Sequence, residues 1–457
     1  MMTPDEFRRA GHEAVEWIAR YLESSGEYPV APTTKPGELV DLLPREAPEK
    51  GEPAEALLRD FRELIVQRHT HWNHPRFLAY FSTSASAPGI LGEMIAAALN
   101  PNHMLWKTSP AATELEQVTL GWLRQWMGLP QEFFGMILDT ASTSTLHALA
   151  AARALADPHS RRSGNSGGLT LYCSDQAHTS VDKAAITIGV GLDNVRRVPS
   201  DEAFRMRVDA LESMIREDRA AGRRPFCIVP TVGTTSTTSI DPVPAIAAIA
   251  RREGAWLHID TAYAGPAAML PELRYILDGA DEADSLVVNP HKWMFTPMDL
   301  SVLYTRRPET LRNAFTLTPE ILRTAPDPRA LNLMDYGVPL GRRFRSLKLW
   351  FVMRSFGREG LTALLRSHIA LAREFAGWVE RDPLWEIVAP SPLSVVCFRR
   401  KSNDEENQRL LEAVNASGVA LLSGTVLKGR YALRVAVGNQ ATTREDLALV
   451  WAKLREL

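Results

Sequence analysis

From about residue 84 the chain repeats one pattern: a short apolar run, then a stretch with helical spacing. The apolar runs are Met136–Leu138, Leu169–Cys173, Phe226–Val229, Trp256–Ile259, Ser285–Val288 and Leu300–Tyr304. Between them lie helical stretches such as Thr143–Leu155, Val208–Arg219 and Val243–Arg252. Runs that are apolar throughout, instead of alternating, belong to strands buried on both faces. The repeat therefore predicts an α/β fold with a mostly parallel central sheet. Ligands of such sheets sit beyond the carboxyl ends of the strands, so the residues after each run are read first for chemistry.

The flanks differ. Phe7, Ala14, Val15, Ile18, Tyr21 and Leu22 give residues 4–24 helical spacing. Residues 27–53 are rich in proline and charge and read as an extended connector running over a surface. The stretch 54–69 is helical again. A long helix is expected from near Arg342, then strands at Glu386–Ala389, Ser394–Phe398, Val419–Ser423 and Tyr431–Val437, with helices at Glu405–Ala416 and Arg444–Glu456. This order predicts an N-terminal helical segment over 1–83, a large α/β domain over 84–346 and a small α+β domain over 347–457.

Composition excludes several classes. With 52 basic and 54 acidic residues, bulk charge does not draw the chain to nucleic acid. No uninterrupted apolar stretch reaches the ~18 residues of a membrane span. The first residues carry early acids and no apolar core of a secretory signal. Cys173, Cys227 and Cys397 lie far apart, which fits neither a disulfide framework nor a metal motif and suits a reducing cytoplasm.

Five strand ends carry polar groups. Asp260 ends the Trp256–Ile259 run, and Asn289-Pro290-His291-Lys292-Trp293 follows Ser285–Val288. Taken alone, an N-cap and a surface turn lysine explain these better. Together they match one cofactor, pyridoxal phosphate, which needs a lysine for attachment and an acid on its ring nitrogen. A lysine withdrawn from water has a lowered pKa and can act as a neutral nucleophile. Of nine lysines, only Lys292 follows an apolar run with an acid at the preceding run's end. After Met136–Leu138, the residues Asp139 to Thr145 lead small hydroxyl side chains into a helix start, a natural phosphate site that is also ordinary capping. Ser174-Asp175-Gln176-Ala177-His178 and Val232-Gly233-Thr234-Thr235 follow two further runs. No GxxxxGK[ST] or GxGxxG occurs, which counts against nucleotide-binding classes.

These residues resemble the group II pyridoxal-phosphate-dependent amino acid decarboxylases of fold type I, nearest the aromatic L-amino acid decarboxylases. The resemblance rests on THWNHPRFLAYF (70–81), SPAATELE (109–116), SDQAH (174–178), VGTTSTTSID (232–241), WLHIDTAYAG (256–265), NPHKW (289–293) and PLGRRFRSLKLWF (339–351). It implies that Lys292 attaches the cofactor, Asp260 pairs with its ring nitrogen, and His178 stacks on the ring and contacts the substrate carboxylate. It implies that Ala141 and Ser142 bind the phosphate with Asn289 and His291, that Thr235 lies by the ring and that Ala262 packs under it. Trp72, Tyr80 and Thr83 match residues that shape the substrate pocket. His103–Trp106 falls in the segment expected to wall the aromatic ring, with Trp106 as a substrate contact. The resemblance further implies a homodimer with its site at the interface, Leu340 and Gly341 reaching the partner's site, and an N-terminal segment wrapping the partner. Tyr263-Ala264 and Trp293 stand where relatives acting on acidic substrates tend to carry Trp-Gly and Met. That points to an aromatic substrate, converted to the amine and CO2.

Two positions depart from the family's pattern. Thr261 stands where alanine is usual and is expected to add one hydroxyl near the ring. More consequentially, the family's proton-donating loop tyrosine is Ile321, within Thr318-Pro319-Glu320-Ile321-Leu322, and isoleucine has no proton to give. The alternative outcome is oxygen-dependent decarboxylation–deamination to an aldehyde. The loop's tail, Thr324 to Arg329, is polar and proline-rich as a lid would be. A rival, an aminotransferase, would need an arginine for the substrate carboxylate. Arg434 is available, but the NPHKW context opposes that reading.

Overall fold

The computed structural model describes residues 2–317 and 330–457; Ile321 and the rest of the loop from Thr318 to Arg329 lie outside the described residues. A seven-stranded sheet forms the centre. Its strands are β1 (Phe134–Leu138), β2 (Leu169–Ser174), β3 (Val195–Val198), β4 (Arg224–Val229), β5 (Trp256–Asp260), β6 (Ser285–Val288) and β7 (Ser301–Thr305). Their order is β1-β7-β6-β5-β4-β2-β3. Strands β3, β2, β4, β5 and β6 pair in parallel. Only β7 runs against its neighbours, between β6 and β1. Because β7 is antiparallel to both, β1 ends at the same edge of the sheet as β6. All five polar strand ends therefore open on one side.

Each predicted run forms a strand, since both faces are covered. Leu169–Ser174, Trp256–Asp260 and Ser285–Val288 are buried at every residue. One strand escapes the pattern: β3 reads Val-Arg-Arg-Val. As the last strand of the sheet it need not be apolar, and its arginines find acids: Arg196 binds Asp218 at 2.8 Å and Arg197 binds Asp182.

A second, four-stranded antiparallel sheet holds β8 (Trp385–Ile387), β9 (Val395–Arg400), β10 (Ser423–Leu427) and β11 (Arg430–Ala436), ordered β10-β11-β9-β8. The strand expected at Val419–Ser423 lies later in the chain, as β10. Its apolar predecessor instead runs beside Phe77, where the Leu78 N–H donates to the Leu421 carbonyl at 2.9 Å. Helix Ser346–Arg381 spans both regions and starts four residues after Arg342. Gly357, at φ 61°, interrupts its helical backbone. The first half packs on helix Ala87–Leu99, and Phe375 and Val379 of the second join the core of the small sheet.

At the N-terminus, helix Pro4–Ser24 is closed by a reciprocal Thr3–Glu6 cap, yet it buries no residue. The connector is not wholly extended, for Glu38–Leu42 makes a short helix. The helix begun at Ala54 loosens into a π turn at Phe61–Ile65. All three cysteines are free and buried. No helix among the described residues is long and apolar enough to cross a membrane.

Candidate active site

Asp260 ends β5 and is almost fully buried. One carboxylate oxygen accepts the Ala262 N–H at 2.9 Å, which folds the chain sharply after the strand. The Asn289 N–H donates to the Ala262 carbonyl at 3.0 Å, so the ends of β5 and β6 are joined. Lys292 follows on the single helical turn Pro290–Trp293. It keeps some accessible surface. Burial lowers its pKa, Asp260 opposes that shift, and Arg434 adds to it. The amine is thus biased toward the neutral, nucleophilic form.

His178, after β2, feels the same pair. Burial lowers its pKa, Asp260 raises it and Lys292 lowers it. Its Nδ1 accepts the Ser180 N–H at 3.1 Å, leaving Nε2 for a ligand. Asp260, Lys292 and His178 are therefore one electrostatic cluster. Thr235 is exposed just beyond β4, and Ala262 is buried.

At the end of β1, Thr140 caps helix Ala141–Ala156 without a side-chain bond. The first-turn N–H groups at Ala141 and Ser142 thus have no side-chain acceptor, and the helix dipole favours an anion there. His291 accepts the Leu300 N–H on Nδ1 at 3.1 Å, and burial pushes its pKa down to about 3. The buried Asn289 Oδ1 has no partner. A neutral histidine with its other ring nitrogen free to donate and an uncapped helix start fit a phosphorylated pyridine held by Lys292 and Asp260.

A buried aromatic stack lies beside Lys292. Phe81 stacks on Tyr263 at 3.8 Å, and Tyr263 on Trp293 at 4.6 Å with 9° between planes. Lys292 Nζ lies 5.2 Å from the centre of Phe81, and the Arg434 guanidinium carbon 4.7 Å from it. The sequence did not single out Phe81. It had assigned Arg434 only to a rival class, yet Arg434 is buried beside Lys292 with one guanidinium nitrogen unpartnered. Its place in β11 of the small sheet hid this, because only the docking of the two sheets brings it to Phe81. Arg434 also binds the Tyr80 carbonyl, and the Ser423 hydroxyl accepts the Tyr80 N–H at 3.3 Å. These bonds hold Tyr80 at φ 52°, a left-handed backbone that is strained for a tyrosine. The Trp72 ring lies 6.2 Å from that of Tyr80 and nearly parallel to it, and Thr83 is half-buried two residues past Phe81.

Other predicted residues stand apart. The Trp106 indole donates to Glu114 at 2.8 Å, and Leu340 and Gly341 are exposed. No hydrogen bond or ring contact among the described residues links these three to Lys292. Thr261 is a correction: it is fully buried and its hydroxyl donates to the Val287 carbonyl at 2.6 Å, so it tightens the β5–β6 junction instead of facing a ring.

Such an arrangement defines a class, the fold-type I enzymes that work through pyridoxal phosphate. Within it, the chain belongs to the pyridoxal-dependent decarboxylase family, whose conserved domain matches residues 36–401, and its cofactor is pyridoxal 5'-phosphate. The chain is 40% identical to an aromatic-L-amino-acid decarboxylase of Rattus norvegicus, over 100% of this chain and 98% of that one. It is 38% identical to a phenylacetaldehyde synthase of Petunia hybrida, over 100% and 94%. A crystal structure of Oryza sativa TDC with PLP and tryptamine superposes with a TM-score of 0.96 at 36% identity, covering 100% of this chain and 98% of that one.

Proposed function

We propose that this enzyme decarboxylates an aromatic L-amino acid to the amine and CO2. The observation that carries the aromatic reading is the Phe81–Tyr263–Trp293 stack beside Lys292. Tyr263 and Trp293 are the two positions where relatives acting on acidic substrates tend to differ, and here they touch each other. Bound pyridoxal phosphate supplies an electron sink for the bond that breaks. Lys292, whose charge is disfavoured by burial, would attach the cofactor. Asp260 keeps the ring nitrogen protonated. His178 covers the ring and offers Nε2 to the substrate carboxylate, while Arg434 adds a positive charge nearby. Ala141, Ser142, Asn289 and His291 hold the phosphate; Thr235 and Ala262 border the ring. Trp72, Tyr80 and Thr83 shape the side-chain pocket.

A homodimer accords with this reading. Phe7 on the N-terminal helix is 69% exposed, as an apolar residue awaiting a partner surface would be. Leu340, Gly341 and Trp106 then serve the partner's site. Segments 1–83, 84–346 and 347–457 act as wrap, cofactor domain and small domain. Free buried cysteines suit a cytoplasmic setting.

Ile321 favours a second product. Without a phenol at that position, proton return to the α-carbon depends on His178 or water, and oxygen can intervene to give an aldehyde, ammonia and peroxide. One experiment separates the readings: incubate the holoenzyme in air with a panel of amino acids, identify products by mass and assay peroxide. Amine without peroxide supports the first reading, and aldehyde with stoichiometric peroxide the second. Turnover of acidic substrates alone would defeat both. Ile321→Tyr is expected to raise the amine-to-aldehyde ratio.

A further inference from the structure

A buried carboxylate outside the cofactor site ties together the segments that build it. Glu116, on helix Pro110–Met127, is 1% exposed. Its Oε1 accepts the Ile137 N–H at 2.8 Å and an Arg342 N–H at 2.7 Å. Arg342 also donates to the Ile137 carbonyl at 3.1 Å. Acid and guanidinium thus clasp both backbone polar groups of one residue, Ile137, on β1, the last strand of the sheet at that side. They satisfy an edge that no further strand covers. Oε2 lies 3.4 Å from His103 Nε2, in a geometry that falls short of a hydrogen bond.

Two neighbouring segments close over this clasp. The His103 N–H donates to the Arg342 carbonyl at 3.2 Å, and the Arg342 N–H to Asn102 Oδ1 at 2.9 Å. Further along, the Met334 N–H meets the Met104 carbonyl at 3.1 Å, and the Trp106 N–H meets Asn332 Oδ1 at 3.2 Å. One carboxylate therefore registers three parts: β1, which leads to Ala141 and Ser142; the 102–106 wall; and the stretch carrying Leu340 and Gly341.

We propose that Glu116, acting with Arg342, is a positioning residue that sets the phosphate-binding turn of its own site relative to the wall segment that serves the partner's site. Its role in the wall rests on the aromatic reading above; its role in cofactor placement does not. A buried ion pair is weak support for stability, and apolar groups of similar volume often replace one without loss. Removing both charges leaves no buried ion unpaired but takes the partners of the Ile137 N–H and carbonyl, so a lower melting temperature is expected together with a disturbed site.

The test uses full-length holoenzyme of Glu116→Leu/Arg342→Met, together with Arg342→Lys, which keeps the charge but loses the guanidinium's fork. Melting temperature, pyridoxal phosphate Kd, and KM and kcat for phenylalanine and tryptophan are measured. The cofactor Kd and the KM of the larger substrate are expected to rise about tenfold, with the tryptophan-to-phenylalanine ratio of kcat/KM altered and kcat changed far less. Unchanged Kd and substrate ratio in either folded variant would overturn the proposal. So would losses that simply track melting temperature. If wild-type enzyme turns over no aromatic acid, the aromatic reading fails, and the cofactor Kd still decides the role of Glu116.

Discussion

At the residue scale, the site depends on charges placed where water is scarce. Asp260 accepts one backbone N–H and faces a lysine whose charge burial disfavours. Removing the acid removes the group proposed to keep the cofactor's ring nitrogen protonated, and leaves the lysine in place. Asp260→Ala is therefore expected to retain cofactor absorbance while losing at least ~100-fold in kcat. Near-normal kcat in that variant would end the assignment of Asp260. Lys292 and Asp260 were legible in the sequence because each followed a recognisable apolar run. Arg434 and Glu116 were not, for their partners lie hundreds of residues or a whole helix away, and no local spacing marks them.

At the element scale, close approach decides what propensity cannot. Helix Ala87–Leu99 crosses helix Ser346–Arg381 at Gly92. A Cβ there would lie 2.7 Å from the Lys348 Cα, which is backbone and cannot swing aside. Helix propensity alone says that Gly92→Ala stabilises by about 1 kcal/mol. Overpacking costs ~1–3 kcal/mol, so the expected net effect is a lower melting temperature, read by calorimetry. A rise would mean that the helices separate freely. The strands show the same limit of local reading. The buried runs announced themselves by being apolar throughout, whereas β3, with two arginines, and β10, half-exposed at the rim of its sheet, carried no such pattern.

On the scale of the whole molecule, several buried histidines make stability depend on pH. His74, His147, His291 and His368 each accept an N–H on a ring nitrogen: from Arg76, Val338, Leu300 and the Trp293 indole. An accepting nitrogen cannot carry a proton. Burial, the leading cause, holds His74, His147 and His368 down to about 4 and His291 to about 3, against an ordinary 6.5. The unfolded chain takes up these protons first as pH falls. The stabilisation is complete above the ordinary value and is lost as pH drops toward the depressed ones. The melting temperature is expected to fall steadily between about pH 7 and pH 5. A flat or rising profile would contradict the buried neutral assignment.

By itself the sequence determined the layered α/β fold and the placing of a lysine and an acid after neighbouring strands. Each follows from short-range pattern: apolar runs that must be buried, and polar groups immediately after them. Only the tertiary structure decided that β7 runs against its neighbours and brings β1 to the same edge. It alone turned the Thr261 hydroxyl into the sheet, carried Arg434 from the small sheet to Phe81, and gathered three segments on Glu116. These outcomes depend on docking between elements distant in the chain, where burial energy and unsatisfied polar groups choose partners that no local spacing encodes.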